Sequence, residues 1–149
     1  MSNAMRYVLG HLPVPEARDS RPRLATAHAV WNHVLPEMKD AQREIFRVLC
    51  VDSRRRLIVD VVVAVGSVDS CFVDPREVFA PAIVAKASGV VLCHCHPSGD
   101  PEPSIQDVQL TQQLRQAGEL LCIRVIDHVV VTDKGYVSMA QRLMMGGGH

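Results

Sequence analysis

The run Gly89-Val90-Val91-Leu92-Cys93-His94-Cys95-His96, broken by Pro97, Gly99, Pro101 and Pro103 and resumed at Ser104-Ile105-Gln106-Asp107, constrains this chain more than any other segment. Its first part is short, apolar and β-branched, which predicts a buried strand ending at the histidines. Side chains alternate along a strand, so His94 and His96 project to one face and Cys93 and Cys95 to the other. The prolines and glycine forbid regular structure. From Ser104 onward, Ile105, Val108, Leu110 and Leu114 follow helical spacing, which places Asp107 in the first turn of a helix. The segment is therefore a strand, a rigid loop and a helix, with two imidazoles at the end of the first and a carboxylate at the start of the last.

Two nitrogens and one carboxylate oxygen, with a fourth position left to water, make the ligand set of an open zinc centre and not of a closed four-ligand structural one. Ser104-x-x-Asp107 is also the spacing of a helix capping box. The two roles are compatible, because Ser104 can cap the helix while Asp107 serves as a ligand. A soft cluster in which Cys93 and Cys95 join the histidines is excluded by strand geometry, since opposite faces do not converge on one ion.

The segment resembles the JAMM, or MPN+, metalloprotease signature of a Glu, then His-x-His-Pro, then Ser-x-x-Asp, and most closely its RadC-like bacterial branch. The likeness runs from Leu24 to Ser138 through the blocks Glu44-Ile45-Phe46-Arg47-Val48-Leu49, Pro75-Arg76-Glu77-Val78-Phe79, His96-Pro97-Ser98-Gly99-Asp100 and Asp127-His128-Val129-Val130-Val131. The resemblance implies metal ligands at His94, His96 and Asp107, a general base at Glu44 and an oxyanion-supporting serine at Ser104. It implies one Zn2+ per chain and an α/β (α+β) fold: a mixed β-sheet flanked by helices, in a cytidine-deaminase-like sandwich. Cys95 departs from the pattern, which has Asn, Ser or Thr there, and alternation turns the departure away from the histidines.

At 149 residues, nearly half of them apolar, the chain fits one compact domain. We expect residues 1–23 to be a flexible leader that begins with the vector-like Met1-Ser2-Asn3-Ala4. Residues 24–145 form the RadC-like domain, and Gly146 to His149 a disordered tail. Full-length RadC proteins resemble this chain only in their C-terminal part, so the extra N-terminal helical region they carry is expected to be missing. Without an apolar run of membrane-spanning length or a signal pattern, the expectation is a cytoplasmic protein that makes no membrane contact. Five cysteines with no Cys-x-x-Cys pair read as buried, reduced thiols.

The remaining elements follow from patterning. Leu24 to Asp40 is helical, with Leu24, His28, Trp31 and Leu35 on one stripe and Pro36 bending or ending it. Glu44–Asp52 and Leu57–Val65 are strands of a hairpin whose tip is Ser53-Arg54-Arg55-Arg56. A further short strand is expected at Cys71–Val73, a helix at Arg76–Ser88 behind Pro75, strands at Leu120–Ile126 and Val129–Thr132, and a turn at Asp133-Lys134-Gly135 before Tyr136.

An acid beside an activated water can take its proton and pass it to the leaving amine. Glu44 fills that role by resemblance, and Glu77, in a helix first turn where acids suit the dipole, is the alternative. Asp127 and His128 are candidates to orient the ligands, since metal ligands recruit such partners, but they lack ligand spacing to the His94 strand, and a His opening an apolar strand usually reads as a hydrogen-bonded core residue. His11, His28 and His33 read as surface or packing residues.

The reading is a zinc-dependent hydrolase that cleaves a peptide, isopeptide or other amide bond. The short connections at Gly66–Asp74 and Pro97–Pro103 leave little room for the insertions that grip ubiquitin in eukaryotic relatives, so no deubiquitinase is expected. One rival is a RadC-type DNA-repair-associated or mobile-element protein, supported locally only by Arg43, Arg47 and Arg54–Arg56. Sixteen basic residues balanced by sixteen acidic ones make any DNA contact weak. Another is an inactive MPN scaffold, although such relatives lack the ligands that this chain keeps.

Overall fold

A computed structural model describes residues 20–66 and 72–142. The expectations for the leader up to residue 19, for Cys71 and for the Gly146–His149 tail lie outside the described residues. In chain order the elements are α1 (Ala27–Met38), β1 (Glu44–Val51), β2 (Leu57–Gly66), α2 (Pro75–Val84), β3 (Gly89–Cys95), α3 (Ile105–Leu121), β4 (Arg124–Val131) and β5 (Tyr136–Ser138). The strands form one mixed sheet in the order β2-β1-β3-β4-β5. Only β3 and β4 run parallel, and α3 is the crossover that such a pair requires. The mixed sheet flanked by helices matches the expected α+β class.

Helices cover both faces. Phe46, Val48, Val90 and Leu92 pack with Val78, Phe79 and Ala82 of α2 and Leu114 of α3. Leu49, Val51, Val91, Cys93 and Cys95 pack with Val30, Val34 and Met38 of α1. Alternation along β3 thus sorts its residues as expected, with the cysteines on the α1 side. Cys95 Sγ accepts a bond from the Ile45 amide there at 3.2 Å, which settles its role as packing.

Several boundaries and faces differ from the sequence reading. The buried stripe of α1 is Ala27, Val30, Val34 and Met38, one residue off the Leu24-His28-Trp31-Leu35 stripe, and the helix runs through Pro36. Small branched side chains let α1 approach the sheet. Trp31 instead sits at the margin, where its indole N–H donates to the Thr132 carbonyl at 3.0 Å. Phe72 and Val73 are not strand, and α2 ends at Val84.

The run Leu120–Ile126 is strand only from Arg124 onward. α3 continues to exposed Leu120 and Leu121, and Cys122 then turns the chain in a left-handed conformation with φ 57°. A single strand follows through Asp127 and His128. Cys122 is exposed, whereas Cys50, Cys93 and Cys95 are buried free thiols. Residues 20–23, read as leader, are tied to the hairpin, with an Arg23–Arg56 bridge and a Leu57 amide bond to the Pro22 carbonyl at 2.8 Å.

Among the described residues no helix is long and apolar enough to cross a membrane.

Candidate metal centre

The register of β1 against β3 assembles the site. Antiparallel pairing sets Phe46 opposite His94. One alternation further out, Glu44 comes level with His96 on the same face. Beyond Cys95 the strand pairing continues for one bond, from the His96 amide to the Val131 carbonyl at 3.1 Å, so His96 keeps its strand-like orientation. The His94 and His96 rings stand perpendicular with centroids 4.8 Å apart. Glu44, His94 and His96 each offer a ligand atom, all within 4.8 Å of one another, and together they make a group able to hold a metal ion.

The loop after His96 orients its ring. Gly99 takes φ 85°, a left-handed conformation that glycine adopts without Cβ strain. That turn brings the Asp100 carbonyl to 3.0 Å from His96 Nδ1. Nδ1–H donates to this carbonyl, so Nε2 is the ring nitrogen turned to Asp107 and the site.

α3 brings a second carboxylate, Asp107, to the three residues of that group. Ser104 is its N-cap, and the capping box is complete: Ser104 Oγ accepts from the Asp107 amide at 3.0 Å and Asp107 Oδ2 accepts from the Ser104 amide at 2.8 Å. Asp107 is only 6 % exposed, and the N-terminal dipole of α3 favours its charge. Its two oxygens face the two imidazoles, Oδ1 at 3.2 Å from His94 Nδ1 and Oδ2 at 3.1 Å from His96 Nε2. Burial acts to raise the Asp107 carboxyl, but the imidazoles of His94 and His96 outweigh it and hold the group well below the usual carboxylate range. Conversely, the Asp107 carboxylate raises His96 above an ordinary histidine, against its partial burial.

His94 carries the clearest sign of a missing partner. The residue is 3 % exposed, and neither ring nitrogen makes a hydrogen bond among the described residues. Asp107 Oδ1 and Glu44 Oε2, at 3.2 and 3.4 Å, approach to ion-pair distance without hydrogen-bond geometry. Buried polar atoms are normally satisfied. Two bare nitrogens beside a second imidazole and two carboxylates fit a cation.

The centre opens into a cleft of about 710 Å³ lined by Phe72 and Val73 on one side and Gln106, Gln109, Leu110 and Gln113 of α3 on the other. Ser104 lines it too. Glu77 sits in the first turn of α2 and is not among the lining residues.

His128 and Asp127 take separate roles. Asp127 accepts from the amides of His128 and Ala140 and from the Ser138 hydroxyl, which pins the turn after β5. His128 is wholly buried, its ring 6.0 Å from that of His94, with Phe46 edge-on to it. Burial, reinforced by the neighbouring His94, pushes the His128 imidazole down to about 3, so it is neutral. Its Nδ1 lies 2.5 Å from Thr111 Oγ1. Sequence reasoning anticipated a hydrogen-bonded core histidine there and missed Thr111, because that contact joins two elements.

The helix face that builds the site also misled the periodicity reading. α3 buries Asp107, Thr111, Leu114 and Gly118, while Ile105 is 75 % exposed. Polar residues occupy its inward stripe where the site needs them. The arginines at the β1–β2 tip lie at the far end of β1 from Glu44, about 25 Å away by strand rise.

A family model described as RadC-like JAB domain matches residues 24–144. A UPF0758 protein of Syntrophotalea carbinolica is 44% identical over 120 residues, 80% of this chain and 53% of its own length. Another, of Thermotoga maritima, is 45% identical over 105 residues, 70% of this chain and 47% of its own. The chain spans about half the length of the curated relatives it matches. With the centre on β1, β3 and the start of α3, and the match running almost the length of the described fold, the chain belongs to the RadC-like JAB domain family.

Proposed function

We propose that this domain is a zinc-dependent hydrolase of the JAMM class that cleaves a peptide, isopeptide or other amide bond. The observation that carries the reading is buried His94, with neither ring nitrogen hydrogen-bonded among the described residues, beside His96, Glu44 and Asp107 at the base of a cleft.

His94, His96 and Asp107 are the residues that would hold the ion. Asp107 is anchored by the capping box, and the Asp100 carbonyl engages His96 Nδ1, so that Nε2 is the nitrogen turned to the site. Bound zinc supplies a Lewis acid that polarises a carbonyl and makes a water acidic at neutral pH. Glu44 is partly buried, 3.4 Å from His94 Nε2 and held by no hydrogen bond among the described residues, which suits a group that takes a proton from water and passes it to the departing nitrogen. The Ser104 hydroxyl accepts from the Asp107 amide and keeps its proton available for an oxyanion in the cleft, a contribution of about 3 kcal/mol for a well-placed donor. The phenyl and aliphatic wall of Phe72, Val73 and Leu110 and the carboxamides of α3 suit an uncharged polypeptide.

The test is elemental analysis of the purified protein followed by cleavage of a peptide library with and without chelator. We expect one zinc per chain and cleavage that the chelator abolishes. Protein that takes up no metal, or cleavage indifferent to the chelator, refutes the reading.

A further inference from the structure

We infer that His128 and Thr111 are positioning residues for the metal centre: His128, from β4, fixes the first turn of α3, and with it the Asp107 carboxylate, through the Thr111 hydroxyl. The inference rests on the ligand assignment proposed above and extends it to residues that touch no ligand atom.

The bond directions follow from the proton count. The Asp107 carbonyl can only accept, and Thr111 Oγ1 lies 2.7 Å from it, so the hydroxyl proton is used there. The Met139 sulfur, at 3.4 Å, is the weaker alternative for the same proton. His128 Nε2 is buried and has no hydrogen-bond partner among the described residues, so the tautomer that leaves no buried N–H idle carries its proton on Nδ1, and the Thr111 oxygen accepts from that Nδ1–H at 2.5 Å. A threonine bonding back to the residue four before it is common in helices, but on its own it leaves the helix free to shift against the sheet. Here the oxygen is gripped from β4 as well. The chain His128 to Thr111 to the Asp107 carbonyl therefore ties the ligand's own backbone to the strand beside the one that carries His94.

All three residues are buried, at 0 %, 1 % and 6 % exposure, so no water competes for these bonds. The opposite side of the same residue is held by the capping box. Asp107 is thus clamped at its side chain by Ser104 and at its carbonyl by Thr111. Phe46 packs against both His94 and His128, which makes His128 part of the floor on which the first histidine rests.

The experiment compares zinc affinity, by competition with a chromophoric chelator, with the melting temperature of the metal-free proteins. Thr111→Val keeps the volume and removes the hydroxyl, while Thr111→Ser removes the methyl and keeps the hydroxyl. We expect Thr111→Val to weaken zinc binding about 10- to 100-fold, the range for partners that orient ligands, and Thr111→Ser to bind close to wild type even where it melts lower. His128→Leu should match Thr111→Val, His128→Asn, whose amide can reproduce the Nδ1–H donor, should recover most of the affinity, and the Thr111→Val/His128→Leu double variant should be little worse than either alone. Zinc affinity that tracks the melting temperature across the series, or losses that simply add, overturns the inference. Wild-type protein that takes up no zinc refutes the ligand assignment, whereas wild-type uptake with undiminished affinity in Thr111→Val refutes only the positioning role.

Discussion

Asp107 performs two jobs that substitution can separate. Asp107→Ala removes the half of the capping box made by Oδ2 and the Ser104 amide, and it removes the carboxylate between His94 and His96. Ser104→Ala removes only the other half, the bond from the Asp107 amide to Ser104 Oγ. Losing a cap costs about 1 kcal/mol, so both metal-free variants should melt a few degrees below wild type. Zinc binding at a hundredfold excess over Kd stabilises the folded state by about 2.7 kcal/mol, more than the cap is worth. Thermal melts with chelator and then with excess zinc should therefore show Ser104→Ala gaining the full wild-type rise on adding metal and Asp107→Ala gaining almost none. A full zinc-dependent rise in Asp107→Ala would refute the ligand assignment, because a three-ligand centre does not survive the loss of one ligand unaltered.

Glu44→Gln should keep the zinc-dependent rise and lose hydrolysis; if it loses the metal while Asp107→Ala retains it, the two carboxylates have exchanged roles. Asp60→Ala should destabilise the fold by about 3 kcal/mol in chemical denaturation, because it strips the buried one of the two carboxylates on Arg47, itself only 5 % exposed, and leaves it only the more exposed Glu37. Burial acts to raise the Asp60 carboxyl, but His33 and Arg47 prevail and hold it below the ordinary range, so its stabilisation is present above about pH 4 and is lost as pH falls through that depressed value. Acid titration of stability should be correspondingly shallower in Asp60→Ala. Gly118→Ala should lower stability by about 1–2 kcal/mol despite the better helix propensity of alanine, because its Cβ would stand 2.4 Å from the Ile123 carbonyl oxygen, and an unchanged denaturation midpoint would contradict that packing. Any binding to DNA should be weak, salt-sensitive and removed by charge reversal at Arg54, Arg55 and Arg56 with zinc content unaltered, as a salt-titrated mobility shift would show.

Local chemistry determined what was legible in the sequence. Alternation along a strand put His94 and His96 on one face whatever the rest of the chain did, and the Ser104-x-x-Asp107 spacing set a cap and a first-turn carboxylate at the start of a helix. The proline-broken loop and the left-handed demand at Gly99 are equally local. Contacts across elements were decided only by the tertiary structure. Glu44 reaches the histidines because β1 pairs with β3 in a register that no property of Glu44 itself announces. The buried stripes of α1 and α3 were misread for one physical reason: periodicity reports where apolar residues lie, whereas the face that packs is chosen by fit to the sheet. On α3 the inward positions carry Asp107, Thr111 and Gly118 beside Leu114, a carboxylate, a hydroxyl and a space, none of which contributes to an apolar pattern. The bond between Thr111 and His128, seventeen residues apart, exists only because β4 returns parallel to β3 with α3 lying across the sheet.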